Sequence, residues 1–239
     1  MEGLIFSTNN SGNCVVVNYT NYDDVTVKFV ETGYETKTRM DNLKLGKVKD
    51  YLHPSIYGKG ILGEGFKQSD SQSYSFQLWK NMLKRCYSEV SFKKSPSYEQ
   101  CLTSETFNHY QQFKTWCNQQ LGFGNTGWEL DKDILVKGNK VYSEDTCCFV
   151  PKEINLLLVK HDKGRGNYSL GVDYHKSRKQ FRARCSDKHL GWFNTEIEAF
   201  NAYKTAKEDY IKSLANKWKD QIDPKVYEAL MKYEVEITD

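Results

Sequence analysis

The sequence predicts a mixed α+β chain, and three observations carry that prediction. Short β-branched runs occupy residues 1–66. Apolar stripes at three- and four-residue steps follow. Near the C-terminal end, three strand-like segments precede one long amphipathic stretch. The 239 residues are enough for one large domain or a few small ones, and the pattern divides them into 1–66, 75–160, 164–219 and a tail at 220–239. Charged residues make up 27% and hydrophobic residues 38%, the balance of a folded chain and not of a disordered one. No apolar run reaches the ~18 residues a membrane span needs. The N-terminus lacks the basic-then-apolar order of a signal peptide, so a cytoplasmic location is expected. Seven cysteines form no repeating framework and are expected to be reduced and buried.

The first segment reads as β. Val15-Val16-Val17 and Val25-Thr26-Val27 flank the polar turn Asn21-Tyr22-Asp23-Asp24, and glycines punctuate the stretch through Gly58, Gly60 and Gly63. A small SH3-like β-barrel fits this pattern, with a structural role or a protein partner. The glycines lack the Lys-Ser/Thr of a phosphate-binding loop. A polar linker at 67–73 precedes two helical stripes. The first is Phe76, Trp79, Met82, Leu83 and Cys86, and the second Phe107, Tyr110, Phe113, Trp116 and Cys117, with residues 92–97 as a loop between them. Strand, turn and strand are expected across residues 128–151, then a helix over 152–160. Cys147 and Cys148 are adjacent and leave no gap to wrap a zinc ion.

Gly164 and Gly166 open the last segment. Strands are expected at 168–174, 180–185 and 189–193, and a helix begins at Asn194-Thr195. Thr195 and Glu198 have capping-box spacing. Ile197, Phe200, Tyr203, Ile211, Leu214 and Trp218 form the helix's apolar face, interrupted by Lys207. Asp223-Pro224 starts a short final helix with Val226, Leu230 and Tyr233 on one side.

Charge is concentrated in this region. The chain's net charge is +3, yet residues 160–219 carry 14 Lys and Arg against 7 acids, and residues 163–192 carry 8 against 2. Such a field is the footprint of a phosphate-binding surface. In a strand, neighbours face opposite ways. Phe181, Ala183 and Cys185 should therefore face the long helix while Arg182 and Arg184 share the open side. Lys176, Arg178 and Lys179 fall in the preceding turn, Lys188 and His189 at the next, and Tyr174 and Trp192 add apolar contact. Guanidinium forks on such a sheet can grip phosphates or guanine edges, which makes double-stranded DNA the expected partner.

The segment Gly171-Val172-Asp173-Tyr174-His175-Lys176, then Phe181-Arg182-Ala183-Arg184, then His189-Leu190-Gly191-Trp192-Phe193-Asn194-Thr195 with Glu198-Ala199-Phe200-Asn201-Ala202-Tyr203 resembles the AP2 DNA-binding domain over about 50 residues. Leu170 and Asn194 depart from that pattern, where the family has a polar residue and Asp. The resemblance implies a three-stranded sheet packed on one helix, with the sheet reading DNA. Upstream, Trp79, Met82, Arg85-Cys86-Tyr87, Phe113, Trp116, Leu130-Asp131-Lys132-Asp133-Ile134, Gly138-Asn139, Tyr142-Ser143, Cys147, Phe149-Val150-Pro151 and Asn155 follow an order similar to phage HNH-like homing endonucleases. That resemblance implies a ββα centre with flanking helices and a divalent metal such as Mg²⁺ over a DNA phosphate. It makes Asp131, Lys132 and Asp133 the catalytic candidates and Asp131, Asp133 and Asn139 the metal ligands. The family's histidine base would fall at Lys132 or its neighbour and its last histidine near Lys152, and both are absent. Lysine is protonated near neutral pH and is a poor base unless desolvated. His161 is the one histidine near this region. Two functions stay open on these residues: a homing-type endonuclease, and a DNA-binding regulator or counter-defence protein that does not cut.

Overall fold

The computed structural model describes residues 1–158 and 167–237. His161, Lys163, Gly164 and Gly166, and the proposed opening of the last module with them, lie outside the described residues. The fold is α+β. The chain divides into two compact units, Met1–Gln119 with Lys140–Asp145, and Gln120–Asn139 with Thr146–Asp239. The segment 75–160 therefore contributes to both.

In the first unit, β1 (Ile5–Ser7), β2 (Asn13–Asn21), β3 (Asp24–Phe29) and β4 (Glu35–Thr38) form an antiparallel meander in that order. The β2–β3 turn works as its sequence suggests, because Asn21 Oδ1 accepts from the Asp23 and Asp24 amides at 2.9 and 3.1 Å. The expected closed barrel is not what forms. Closure requires the first and last strands to pair, whereas β1 and β4 are short opposite edges of an open sheet. The helix α1 (Met40–Lys44) adds Met40 and Leu43 to the core of Cys14, Val16, Val25, Val27 and Phe29.

A small hairpin follows, β5 (Pro54–Ile56) with β6 (Gly60–Ile61). The polar segment at 67–73 is not a bare linker. It ends in Ser73, whose hydroxyl accepts from the Phe76 amide at 3.2 Å and caps α2 (Tyr74–Tyr87). Phe76, Trp79, Met82, Leu83 and Cys86 are all buried on α2. Where a loop was expected, α3 (Glu89–Lys94) forms. Next come β7 (Leu102–Thr103), α4 (Glu105–Asn108) and α5 (Tyr110–Gln119). The second aromatic stripe is broken at His109, which is extended, yet Phe107, Tyr110, Phe113, Trp116 and Cys117 all bury. β8 (Trp128–Asp131) belongs to the other unit, and β9 (Val141–Tyr142) returns to pair in parallel with β7.

In the second unit β8 pairs antiparallel with β10 (Cys148–Pro151), and α6 (Lys152–Leu157) follows directly. Gly122 has φ +87°, and a Cβ there would lie 2.2 Å from the Trp128 ring, so only glycine fits. Three antiparallel strands come next, in the order β11 (Val172–His175), β12 (Gln180–Cys185), β13 (Lys188–Phe193). The long helix α7 (Glu196–Trp218) packs on this sheet. Its capping box is present: Thr195 Oγ1 accepts from the Glu198 amide at 3.2 Å, and Glu198 accepts from the Thr195 amide at 3.1 Å. Ala199, Phe200, Tyr203, Ile211, Leu214 and Ala215 are buried, while Ile197, in the first turn, is exposed. Gly171, at φ +75°, lets the Tyr203 ring lie against the start of β11, since a Cβ there would sit 2.0 Å from that ring. Asp223 caps α8 (Pro224–Met231), which buries Val226 and Leu230. All seven cysteines are free and buried. Among the described residues no helix is long and apolar enough to cross a membrane.

Candidate nucleic-acid interface

Strand register decides which side chains share the open face of the three-stranded sheet. Asp173 stands directly opposite Arg182, and Arg182 opposite Trp192, while Ala183 lies between Val172 and Gly191. A register shift after Ala183 brings Arg184 opposite His189. Ala183 and Cys185 are buried on the side toward α7. Asp173, His175, Arg182, Arg184, His189 and Trp192 consequently share the other face.

These side chains form one connected patch. The Arg182 guanidinium donates from Nε to both Asp173 carboxylate oxygens at 3.1 Å, and its Nη2 lies 3.0 Å from Asp173 Oδ2. Arg184 Nε approaches the same carboxylate at 3.4 Å. Trp192 sits at the centre, with the Arg178 guanidinium 4.7 Å and that of Arg182 5.6 Å from its ring, inside cation–π range. The His175 and His189 rings flank it at 5.2 and 5.4 Å. Arg182 keeps 32% of its side chain exposed and Arg184 55%. Arg178 lies in the turn between β11 and β12 with the exposed Lys176 and Lys179, the latter at φ +55°.

Two expected contacts are not on this face. Tyr174 stands opposite Phe181, and those two rings pack at 4.9 Å with Tyr168 against both. Its parity puts it on the opposite side from the arginines. Lys188 pairs with Cys185, also on the helix side, and is exposed at the end of the sheet. Asp173 is the residue that charge counting missed. Its place opposite Arg182 follows from the turn at 176–179, but only once that turn's length is known.

On the far side of the sheet, Lys207 is half-buried within the apolar face of α7. Loss of water holds its ammonium below the usual lysine range, with the nearby Cys185 thiol opposing. Burial in turn raises the Cys185 thiol.

The loop after β8 places the other candidates. Asp131 Oδ1 accepts from the Asp133 and Ile134 amides at 2.7 and 2.8 Å, closing a tight turn. Burial pushes this carboxyl above the ordinary carboxylate range, although those two N–H groups pull the other way. The Lys132 side chain is only 8% exposed. Its ammonium donates to both Asp133 oxygens at 2.8 Å and to the Asn139 carbonyl at 2.7 Å. The Asn139 amide returns a bond to the Lys132 carbonyl at 2.8 Å. Downstream, Asn155 donates to Glu129.

The expected ligand set Asp131, Asp133 and Asn139 does not fit a Mg²⁺ ion in this arrangement. A fixed positive charge already sits on Asp133, Asp131 is turned into its own backbone, and the Asn139 side chain faces Lys132. Hard divalent cations need several convergent oxygens that no cation already holds. Among the described residues no group of three or more His, Cys, Asp or Glu side chains is placed to hold a metal ion. Comparison of the chain with family models, with curated proteins and with solved structures finds no match.

Proposed function

We propose that this protein binds double-stranded DNA through the open face of β11–β13, and that residues 128–157 are a framework that does not cut it. The observation that carries the proposal is the patch of Arg178, Arg182, Arg184 and Trp192 on one solvent face, sealed behind by α7. A two- or three-stranded ribbon fits the major groove, and arginine is the side chain best suited to phosphates and guanine edges. The AP2-like pattern, which shares Arg182, Arg184 and Trp192 with that face, supports the same partner. The order β8, β10, α6 agrees with the HNH-like pattern, but Lys132 stands where that chemistry would need a base or a metal, bonded to Asp133 and Asn139. A regulator or counter-defence role on this scaffold is therefore favoured over a homing endonuclease.

The test combines gel shift on linear duplex with incubation on supercoiled plasmid, with and without Mg²⁺ or Mn²⁺. Binding that weakens with salt, without nicking, is the expected result. Failure to bind duplex at low salt overturns the proposal. Metal-dependent nicking that disappears in Asp131→Ala overturns its second half.

A further inference from the structure

The DNA reading leaves one feature unexplained: a carboxylate at the middle of a surface meant for an anion. Asp173 weakens the attraction to phosphate, and phosphate contacts supply most of the sequence-independent affinity. Its geometry is nevertheless specific. It takes Arg182 side-on, through Nε and Nη2, at 3.0–3.1 Å. The ring of Trp192 lies 5.6 Å from the same guanidinium. A free arginine on a strand samples many rotamers, and ordering it costs affinity at the moment of binding. Here one edge of the fork is fixed in advance. On the second edge, Nη1 bonds to no described residue, and Nη2, held by Asp173 through one N–H, keeps its outward N–H.

We infer that Asp173 is a positioning residue that sets sequence preference, holding Arg182 so that its Nη1–Nη2 edge reads the O6 and N7 acceptors of a guanine in the major groove. The inference rests on the DNA-binding proposal and deepens it. Guanine is the base whose groove edge presents two adjacent acceptors to such a fork, and this is the commonest specific arginine contact. Adenine presents a donor beside N7, which the fork cannot accept. Arg184 touches Asp173 only at 3.4 Å and is more exposed, so it remains available to phosphate. The patch thus separates two tasks, with the pinned arginine discriminating and the loose cations attracting.

The experiment selects preferred sites from a randomised duplex pool with the wild-type protein. It then compares affinity for a selected site, the same site with 7-deazaguanine at each guanine in turn, and random duplex. Wild-type protein should lose about tenfold at one guanine, the ordinary worth of the single charge-assisted hydrogen bond to N7 that the analogue removes. Asp173→Ala and the more conservative Asp173→Asn should bind random duplex more tightly, with a salt slope steeper by about one, and should lose most of the deazaguanine penalty. Arg182→Lys keeps the charge but not the fork, so it should lose the penalty. A penalty that survives in both Asp173 variants or in Arg182→Lys overturns the inference and leaves the DNA proposal standing. If no variant of this face, including Arg182→Ala with Arg184→Ala, changes duplex binding, the DNA proposal itself falls.

Discussion

Lys132→Met separates a structural lysine from a catalytic one. Methionine keeps most of the buried stem, so little cavity forms. What is lost is the ammonium, with its bonds to both Asp133 oxygens and to the Asn139 carbonyl. A bond to a charged partner contributes about 1.5–3 kcal/mol where water is excluded. Asp133 is 44% exposed, so water rehydrates its carboxylate and most of that share must be discounted. Leaving the Asn139 carbonyl short of a partner costs about 1–2 kcal/mol. The total is about 2 kcal/mol. At about 4 °C per kcal/mol for a unit of this size, Tm should fall by about 8 °C. Differential scanning calorimetry should show the fall in the transition of the unit containing residues 120–139, and the other transition should stay in place. Duplex affinity should be unchanged. An unaltered or raised Tm would refute the staple, and the argument against a metal at this loop would lose its basis.

Three further outcomes follow from the geometry. Arg182→Ala with Arg184→Ala removes the base-reading arginine and one phosphate-facing cation, so affinity should fall and the slope of log affinity against log salt should become shallower by about one, measured by fluorescence anisotropy; Tyr174→Ala, on the other face, should leave that slope alone. Asp131→Asn should stabilise the protein at neutral pH, because asparagine keeps the acceptor for the Asp133 and Ile134 amides and carries no buried charge. The sign follows from the raised carboxyl: stability from the protonated group is present below the ordinary value of 3.8 and is lost as pH rises through the folded-state value, so the advantage of Asp131→Asn in thermal melts should shrink toward acid pH and would be contradicted by a gap that widens there. Gly171→Ala should destabilise the sheet and α7 by more than 1 kcal/mol, since it combines a positive φ with a Cβ 2.0 Å from the Tyr203 ring, and a wild-type melt would show that the ring simply moves.

Local pattern carried most of the elements. The alternation at Gln180–Cys185 fixed which side chains face α7, and Ala183 and Cys185 are buried as alternation requires. Thr195 with Glu198 marked the helix start because capping is a four-residue property, readable without tertiary contacts. Long-range pairing was not readable. β9 looks like the partner of its sequence neighbours β8 and β10, yet it belongs to the first unit and pairs there in parallel with β7, and nothing in a two-residue strand names its partner. Barrel closure failed for the same reason, since period and turns describe neighbouring strands but not whether the two edges meet. Tyr174 shows the cost of reasoning from composition: an aromatic in a basic segment suggests a ligand contact, while its parity with Phe181 assigns it to the aromatic side.

The path of the loop after β8 was harder to read. The HNH-like resemblance makes Asp131, Lys132 and Asp133 catalytic candidates, because carboxylate oxygens can hold Mg²⁺, while strand spacing alone would place the two carboxylates on one solvated face. The chain turns at that point instead, so Asp131 spends its oxygen on backbone amides and Lys132 folds inward onto Asp133. A lysine between two aspartates is ambiguous in sequence because the same three residues can hold a cation or replace it. What decides is whether the ammonium can reach an enclosed carbonyl, here that of Asn139 seven residues on, and that depends on the path of a loop with no periodicity to read. The shared face of Arg182 and Arg184 was legible because it depends on side-chain parity, a property of two residues. The loop was not, because its hydrogen bonding depends on closure across nine.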